Sequence, residues 1–282
     1  MNSGWRDGAL RQRHFLAACE LDVAALKPGN VRVGTPAHGM HADDFVRSAH
    51  ACAGALSQRG ASVGQRVLAA IRCTQRVVQC NTNLGIVLLA APLFCAAETG
   101  GDLRTSLARQ LAGLDRRDAA LVYEAIRLAR PGGMGTSVRH DLSAEPQVTL
   151  LEAMREAQDR DSIARQYARG YGDVFDLGLS QWHDALARFE NESWAATWLY
   201  LVYLSTWRDS LIERKFGTAT AQTVSERARE LHSQLASYSD LDDFKARLLS
   251  WDHELRSAGL NPGTSADLTV ATVFAAKLTR AV

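Results

Sequence analysis

Four short stretches of this chain gather residue types that hold anions and move protons. The first reads Lys27-Pro28-Gly29-Asn30-Val31-Arg32, then Ala37-His38-Gly39-Met40-His41-Ala42-Asp43-Asp44. A cation, a glycine-flanked backbone and two imidazoles beside a carboxylate pair are suitable parts for a polyphosphate and its magnesium ion. Asp43 or Asp44 would equally cap a helix beginning near Phe45, which accounts for one aspartate but not for the density of the rest. The second stretch, Asn81-Thr82-Asn83-Leu84-Gly85, opens an apolar helix from Ile86 to Ala97. With Thr82 or Asn83 as its N-cap, that helix start offers free amide hydrogens to an anion.

The third stretch is Asn261-Pro262-Gly263-Thr264-Ser265-Ala266-Asp267. Thr264 and Asp267 have the spacing of a capping box, with Asp in place of Glu or Gln. The same carboxylate suits magnesium or a ribose hydroxyl. The fourth is Pro131-Gly132-Gly133-Met134-Gly135, followed by His140 and Asp141. Its glycines permit close backbone approach, but it lacks the lysine and strand of a P-loop, and a linker is the simpler reading.

Helices must position these stretches. Only six prolines occur in 282 residues, and none lies between Gln147 and Asn261. Proline breaks helix interiors, and Ala, Leu, Arg, Glu and Gln, abundant in that interval, favour them. Phe45, Ala49, Cys52 and Leu56 share one helical face, as do Val63, Val67, Ile71, Thr74 and Val78, with a break at Gly60. A helix after Asp115 and Asp118 stops before Pro131. The pattern resumes from Ile163 to Val174. Trp194 to Ile212 is apolar almost all round and predicts one buried central helix whose tryptophans are core. Polar helices are expected at 221–235 and 241–257, and a last one from Ala266 onwards. No alternating, hairpin-bounded runs occur, so a sheet is not expected. The fold class predicted is all-α, a single large multi-helix domain over residues 1–282.

Composition narrows the partners. Lys and Arg number 32 against 31 Asp and Glu, a net charge of +1, which argues against a general nucleic-acid or acidic-membrane binder. Hydrophobic residues at 46% and charged residues at 22% exclude a disordered or fibrous chain. The five cysteines, Cys19, Cys52, Cys73, Cys80 and Cys95, form no CxxC pair and sit in apolar periodic segments, as small buried hydrophobes do in a reducing compartment. The N-terminal residues lack a signal-peptide core, and no apolar run reaches the roughly 20 residues of a membrane span. The expectation is a cytoplasmic protein with small-molecule partners and neither nucleic acid nor membrane; a homo-oligomer is left open. His183, His232 and His253, on polar helices, are expected to be solvated.

Taken together and in order, Lys27-Pro28-Gly29, Ala37-His38-Gly39-Met40, Phe45 to Ala49, Asn81-Thr82, Gly85, Asn261-Pro262-Gly263 and Ala266-Asp267-Leu268 resemble the family of ATP:dephospho-coenzyme A triphosphoribosyltransferases. Those enzymes make the prosthetic-group precursor of citrate lyase and malonate decarboxylase. The resemblance spans nearly the whole chain and implies an all-helical fold. It also implies a pentosyl transfer: the 2′-hydroxyl of dephospho-coenzyme A attacks the anomeric carbon of ATP's ribose, and adenine leaves. Such a reaction needs carboxylates near a cationic sugar, a proton donor for the purine, a base for the hydroxyl, and magnesium on the triphosphate.

By position in the matched motifs, the resemblance assigns Lys27, Gly29 and Asn30, the turn Asn81, Thr82 and Asn83, and Asn261 and Gly263 to ATP. It assigns Asp43 and Asp44 to magnesium, His38 to proton transfer, and Asp267 to the ribose or the metal. Family members typically read Asn-Thr-His-Lys-Gly in the second motif, whereas this chain has Asn83 and Leu84 in place of the basic pair. That form looks more like the branch found in methane-producing archaea and methylotrophic bacteria, beside genes of tetrahydromethanopterin-linked one-carbon metabolism. Two alternatives follow: an enzyme of tetrahydromethanopterin or methylofuran biosynthesis acting on a phosphorylated pterin or furan, and a non-catalytic nucleotide-binding helical protein.

Overall fold

The computed structural model describes residues 7–131, 145–238 and 240–280, with side chains through residue 279. The glycine-rich candidate with His140 and Asp141 lies outside the described residues after Pro131. Fourteen α-helices and no sheet occur among the described residues, so the all-α, single-domain expectation is met.

Side-chain caps set most helix starts. Asp7 accepts the Ala9 amide at 2.9 Å to open α1 (Gly8–Ala24). Asp44 accepts the His41 amide at 2.9 Å in the first turn of α2 (Ala42–Leu56). A break at Gly60, whose φ of +75° suits glycine, precedes α3 (Val63–Val77). The apolar α4 (Leu84–Thr99) is followed by α5 (Leu103–Ala112) and by α6 (Arg116–Ala129), which ends on left-handed Arg130 before Pro131. Then come α7 (Leu150–Ala157), α8 (Ser162–Ala168), and a π-helical turn (Asp173–Gly178) leading into α9 (Leu179–Phe189). The chain continues through α10 (Glu192–Thr206), α11 (Ser210–Phe216), α12 (Thr218–Ser237), α13 (Leu241–Ser257) and α14 (Gly263–Arg280).

Three expectations are corrected. The apolar run from Trp194 to Ile212 is two helices, because Asp209 accepts the Leu211 and Ile212 amides and starts α11 afresh. The last helix begins at Gly263, so Thr264 is already inside it and no capping box with Asp267 forms. The periodic run from Ile163 to Val174 breaks at Gly170 and Tyr171, which both have positive φ.

Helix α4 runs through Pro92 rather than stopping there. Proline's missing amide would have served the Leu88 carbonyl, and the Tyr167 hydroxyl donates to that oxygen at 2.6 Å. Tyr171 donates to the neighbouring Leu89 carbonyl at 2.9 Å. These bonds clamp α4 and fix where its N-terminus points.

One core cluster holds α1, α4 and α14 together, with Phe15, Phe94 and Phe274 in mutual ring contact at centroid separations of 4.8 to 5.7 Å. A second joins α10 to α12 and α13 through Tyr200, Leu204, Leu231, Phe244 and Leu248. Burying each such side chain contributes about 1.5–3 kcal/mol. Helices α10 and α14 contribute to both clusters.

Candidate active site

Lys27 follows α1 and is fully buried. Its Nζ pairs with Asp22 Oδ1 at 2.8 Å and donates to Asn30 Oδ1 at 2.7 Å. A lysine ammonium carries three hydrogens, so one remains. Asn30 in turn donates from Nδ2 to Asn261 Oδ1 at 2.9 Å, tying the first sequence stretch to the third across 231 positions. Between them the Gly29 amide donates to the buried Asp252 carboxylate at 2.9 Å, and the Tyr200 hydroxyl donates to the Pro28 carbonyl at 2.6 Å. Gly29 has φ +82°, and a Cβ there would come within 2.9 Å of the Leu260 carbonyl, so only glycine fits this crossing.

Asp267 lies one turn into α14 and meets the start of α4. A Cβ on Gly85 would overlap Asp267 Oδ2 and stand 2.6 Å from its Cγ. The second stretch therefore reaches the third through a glycine that allows helix and carboxylate to touch. Burial, then Asp22 and Asp209, push the Asp267 carboxyl well above the usual carboxylate range, with Lys27 opposing. Asp209 is also raised by burial, while bonds from the Ser265 amide (2.8 Å) and hydroxyl (2.9 Å) pull it down. A carboxyl so placed is ready to gain charge when a cation develops beside it.

The remaining predicted residues are arranged differently. Thr82 is buried with its hydroxyl 2.6 Å from Ser48 Oγ, and Asn83 turns inward to exchange hydrogen bonds with Thr74 at 3.1 and 3.2 Å. Asn83 holds the N-cap position of α4, as expected, but makes no side-chain capping bond; the Asn81 side chain accepts the Leu84 amide at 3.2 Å instead. Leu84 is buried as well, so the positions of the missing basic pair face protein. Gly263 packs against Leu211. Asp43 is 75% exposed beside Arg47, and Asp44 spends one oxygen on the His41 amide. Among the described residues no three metal-ligating side chains gather.

His38 is exposed and has φ +55°, a region costly for a residue with a Cβ. Its Nε2 lies 2.9 Å from the Gly29 carbonyl. A carbonyl only accepts, so Nε2 carries the hydrogen, and Nδ1 of the neutral ring is left to take a proton.

Asp22, Asp209, Asp252 and Tyr200 went unnoticed in the sequence. Asp22 interrupts the apolar run Leu21 to Ala25, the one signal that could have singled it out. Asp252 lies in a helix read as polar and solvated, where nothing marks it from its neighbours. His183 and His253 are exposed as expected. His232 is not solvated: its ring packs on Trp198 at 4.1 Å between centroids, and burial lowers its pKa.

Residues 10–282 match the family model described as ATP:dephospho-CoA triphosphoribosyl transferase. The fold matches a crystal structure assigned as a triphosphoribosyl-dephospho-CoA synthase from Archaeoglobus fulgidus. The TM-score is 0.63 at 28% identity, covering 81% of this chain and 96% of that one. Among curated proteins nothing matches.

Proposed function

The chain belongs to the ATP:dephospho-CoA triphosphoribosyl transferase family, and from that premise we propose that it transfers the triphosphoribosyl group of ATP to dephospho-CoA or a related acceptor, with magnesium present and adenine released. Family membership makes it a transferase and sets aside the non-catalytic reading. The observation that carries the proposal is the meeting of three distant stretches: Asn30 on Asn261, and Gly85 on Asp267.

In this reading the acceptor hydroxyl oxygen bonds to C1′ of the ribose while the bond from C1′ to the adenine nitrogen breaks. The hydroxyl proton goes to Nδ1 of His38, which the Gly29 carbonyl orients, and adenine leaves with a proton from the solvent or a second donor. Asp267 faces the ribose, and the positive charge developing there favours its ionised form. The Gly29–Asn30 turn, the remaining hydrogen of Lys27, and the Asn81 and Asn261 turns hold the phosphates. Asp43 and Asp44 would hold magnesium, which neutralises triphosphate charge. Two carboxylates fit this ion, because magnesium bound to a polyphosphate takes few protein ligands and completes its shell with phosphate oxygens and water.

A second reading of the acceptor rests on one observation. Asn83 and Leu84 are buried where the resembled family carries a basic pair, which favours an acceptor other than dephospho-CoA, such as a phosphorylated pterin or furan precursor of a one-carbon carrier. Purified protein with ATP and magnesium should release adenine only when the correct acceptor is added. Release with dephospho-CoA supports the first reading, and release with a pterin or furan phosphate alone supports the second. No release with any of them refutes the transfer.

A further inference from the structure

A basic depression opens beside the Asp267 centre, bordered by α8, the end of α10, α11 and α12. Its walls carry Arg160, Arg165, Arg208 and Arg229 together with Trp207. Three acids share the lining with the four arginines, leaving it net positive: Asp159, Asp161, which caps α8 through the Ile163 and Ala164 amides and pairs with Arg214 outside the depression, and Glu213, which meets Arg208 and Thr218. Arg165 stacks on Trp207 at 4.5 Å, pairs with Asp173, and keeps one guanidinium nitrogen without a hydrogen-bond partner. Arg229 donates to the Ser205 carbonyl, and neither it nor Arg160 meets a carboxylate among the described residues. The cavity measures about 160 Å³, well below the roughly 300–1,000 Å³ of pockets that enclose whole drug-sized ligands. It suits a fragment such as one or two phosphoryl groups, which guanidinium forks bind well.

The depression adjoins the centre through shared walls. The Ser162 amide donates to Ser210 Oγ at 3.3 Å, and Ser210 Oγ donates to Thr264 Oγ1 at 3.0 Å. Thr264 precedes Asp267 by one turn of α14. We infer that these arginines form a second phosphate subsite, holding the phosphoryl groups of one substrate while its reacting end lies at Asp267. This rests on the proposed transfer, in which both substrates carry phosphates that must be held apart.

Calorimetry on the full chain with pyrophosphate, ATP and dephospho-CoA tests it, comparing wild type with R160Q/R208Q and with the charge-matched R109Q/R117Q on α5 and α6, which do not line the cavity. R160Q/R208Q should weaken pyrophosphate and one of the two nucleotides about tenfold, and the nucleotide affected identifies which substrate the subsite serves. R109Q/R117Q should leave all three unchanged. Equal weakening in both variants, no weakening in R160Q/R208Q, or no pyrophosphate binding by the wild type overturns the inference. Binding is read without turnover, so protein that binds through these arginines yet releases no adenine would refute the transfer and retain the subsite.

Discussion

The Lys27–Asp267 centre and the turn from His38 to Asp44 hold the same kinds of residue, yet their bonds differ in reach. In the centre, Asn30 meets Asn261 and the Gly29 amide meets Asp252, partners more than two hundred positions apart. In the turn, Asp44 answers the His41 amide three positions away and Asp43 pairs with Arg47 one helical turn on. The centre is buried and the turn is wet. A charge in the first is therefore set by neighbours that burial makes strong, whereas a charge in the second is screened by solvent.

If that contrast holds, substitutions in the centre cost more stability than those in the turn. Lys27→Met should cost most, about 3–5 kcal/mol in denaturant unfolding, because it strands the buried Asp22 carboxylate. Adding Asp22→Leu should recover part of the loss; an undiminished single variant would mean the pair is not a true buried ion pair. Gly85→Ala should come next. Helix propensity alone favours alanine by about 1 kcal/mol, but the added methyl overlaps the Asp267 carboxylate, so a net loss of about 1–3 kcal/mol is expected. A stabilised variant would show that Asp267 moves aside freely. Asp44→Ala removes one capping bond and should lower stability by about 1 kcal/mol, seen as a small drop in Tm. A larger drop than that of Gly85→Ala would erase the distinction between the regions.

Much of the fold was legible because caps and periodicity are local. The helix at Leu241–Ser257 and the break at Gly60 follow from neighbouring residues alone. The split at Asp209 did not, because its carboxylate also accepts from Ser265, 56 positions away, and local apolarity masks that demand. The site was legible to the extent that its motifs include the residues that converge. Asp252 and Tyr200 were invisible, since a helical aspartate or a buried tyrosine gains meaning only from the loop it supports. The basic-pair departure at Asn83 and Leu84 also gained a physical meaning, because both side chains face the core and leave this turn without a cation.

The central claim is that Asp267 stands at the reacting sugar, and adenine release by Asp267→Asn against wild type across pH tests it most directly. Burial raises this carboxyl, so the stability it gives is full below the ordinary carboxylate pKa and is lost as pH rises through the raised folded value. The asparagine variant should lose that dependence and keep the fold. Its adenine release should fall about 10²–10³-fold, and the wild-type rate should climb with pH as the carboxyl ionises. A folded Asp267→Asn protein releasing adenine at the wild-type rate, with the same pH profile, would contradict the account.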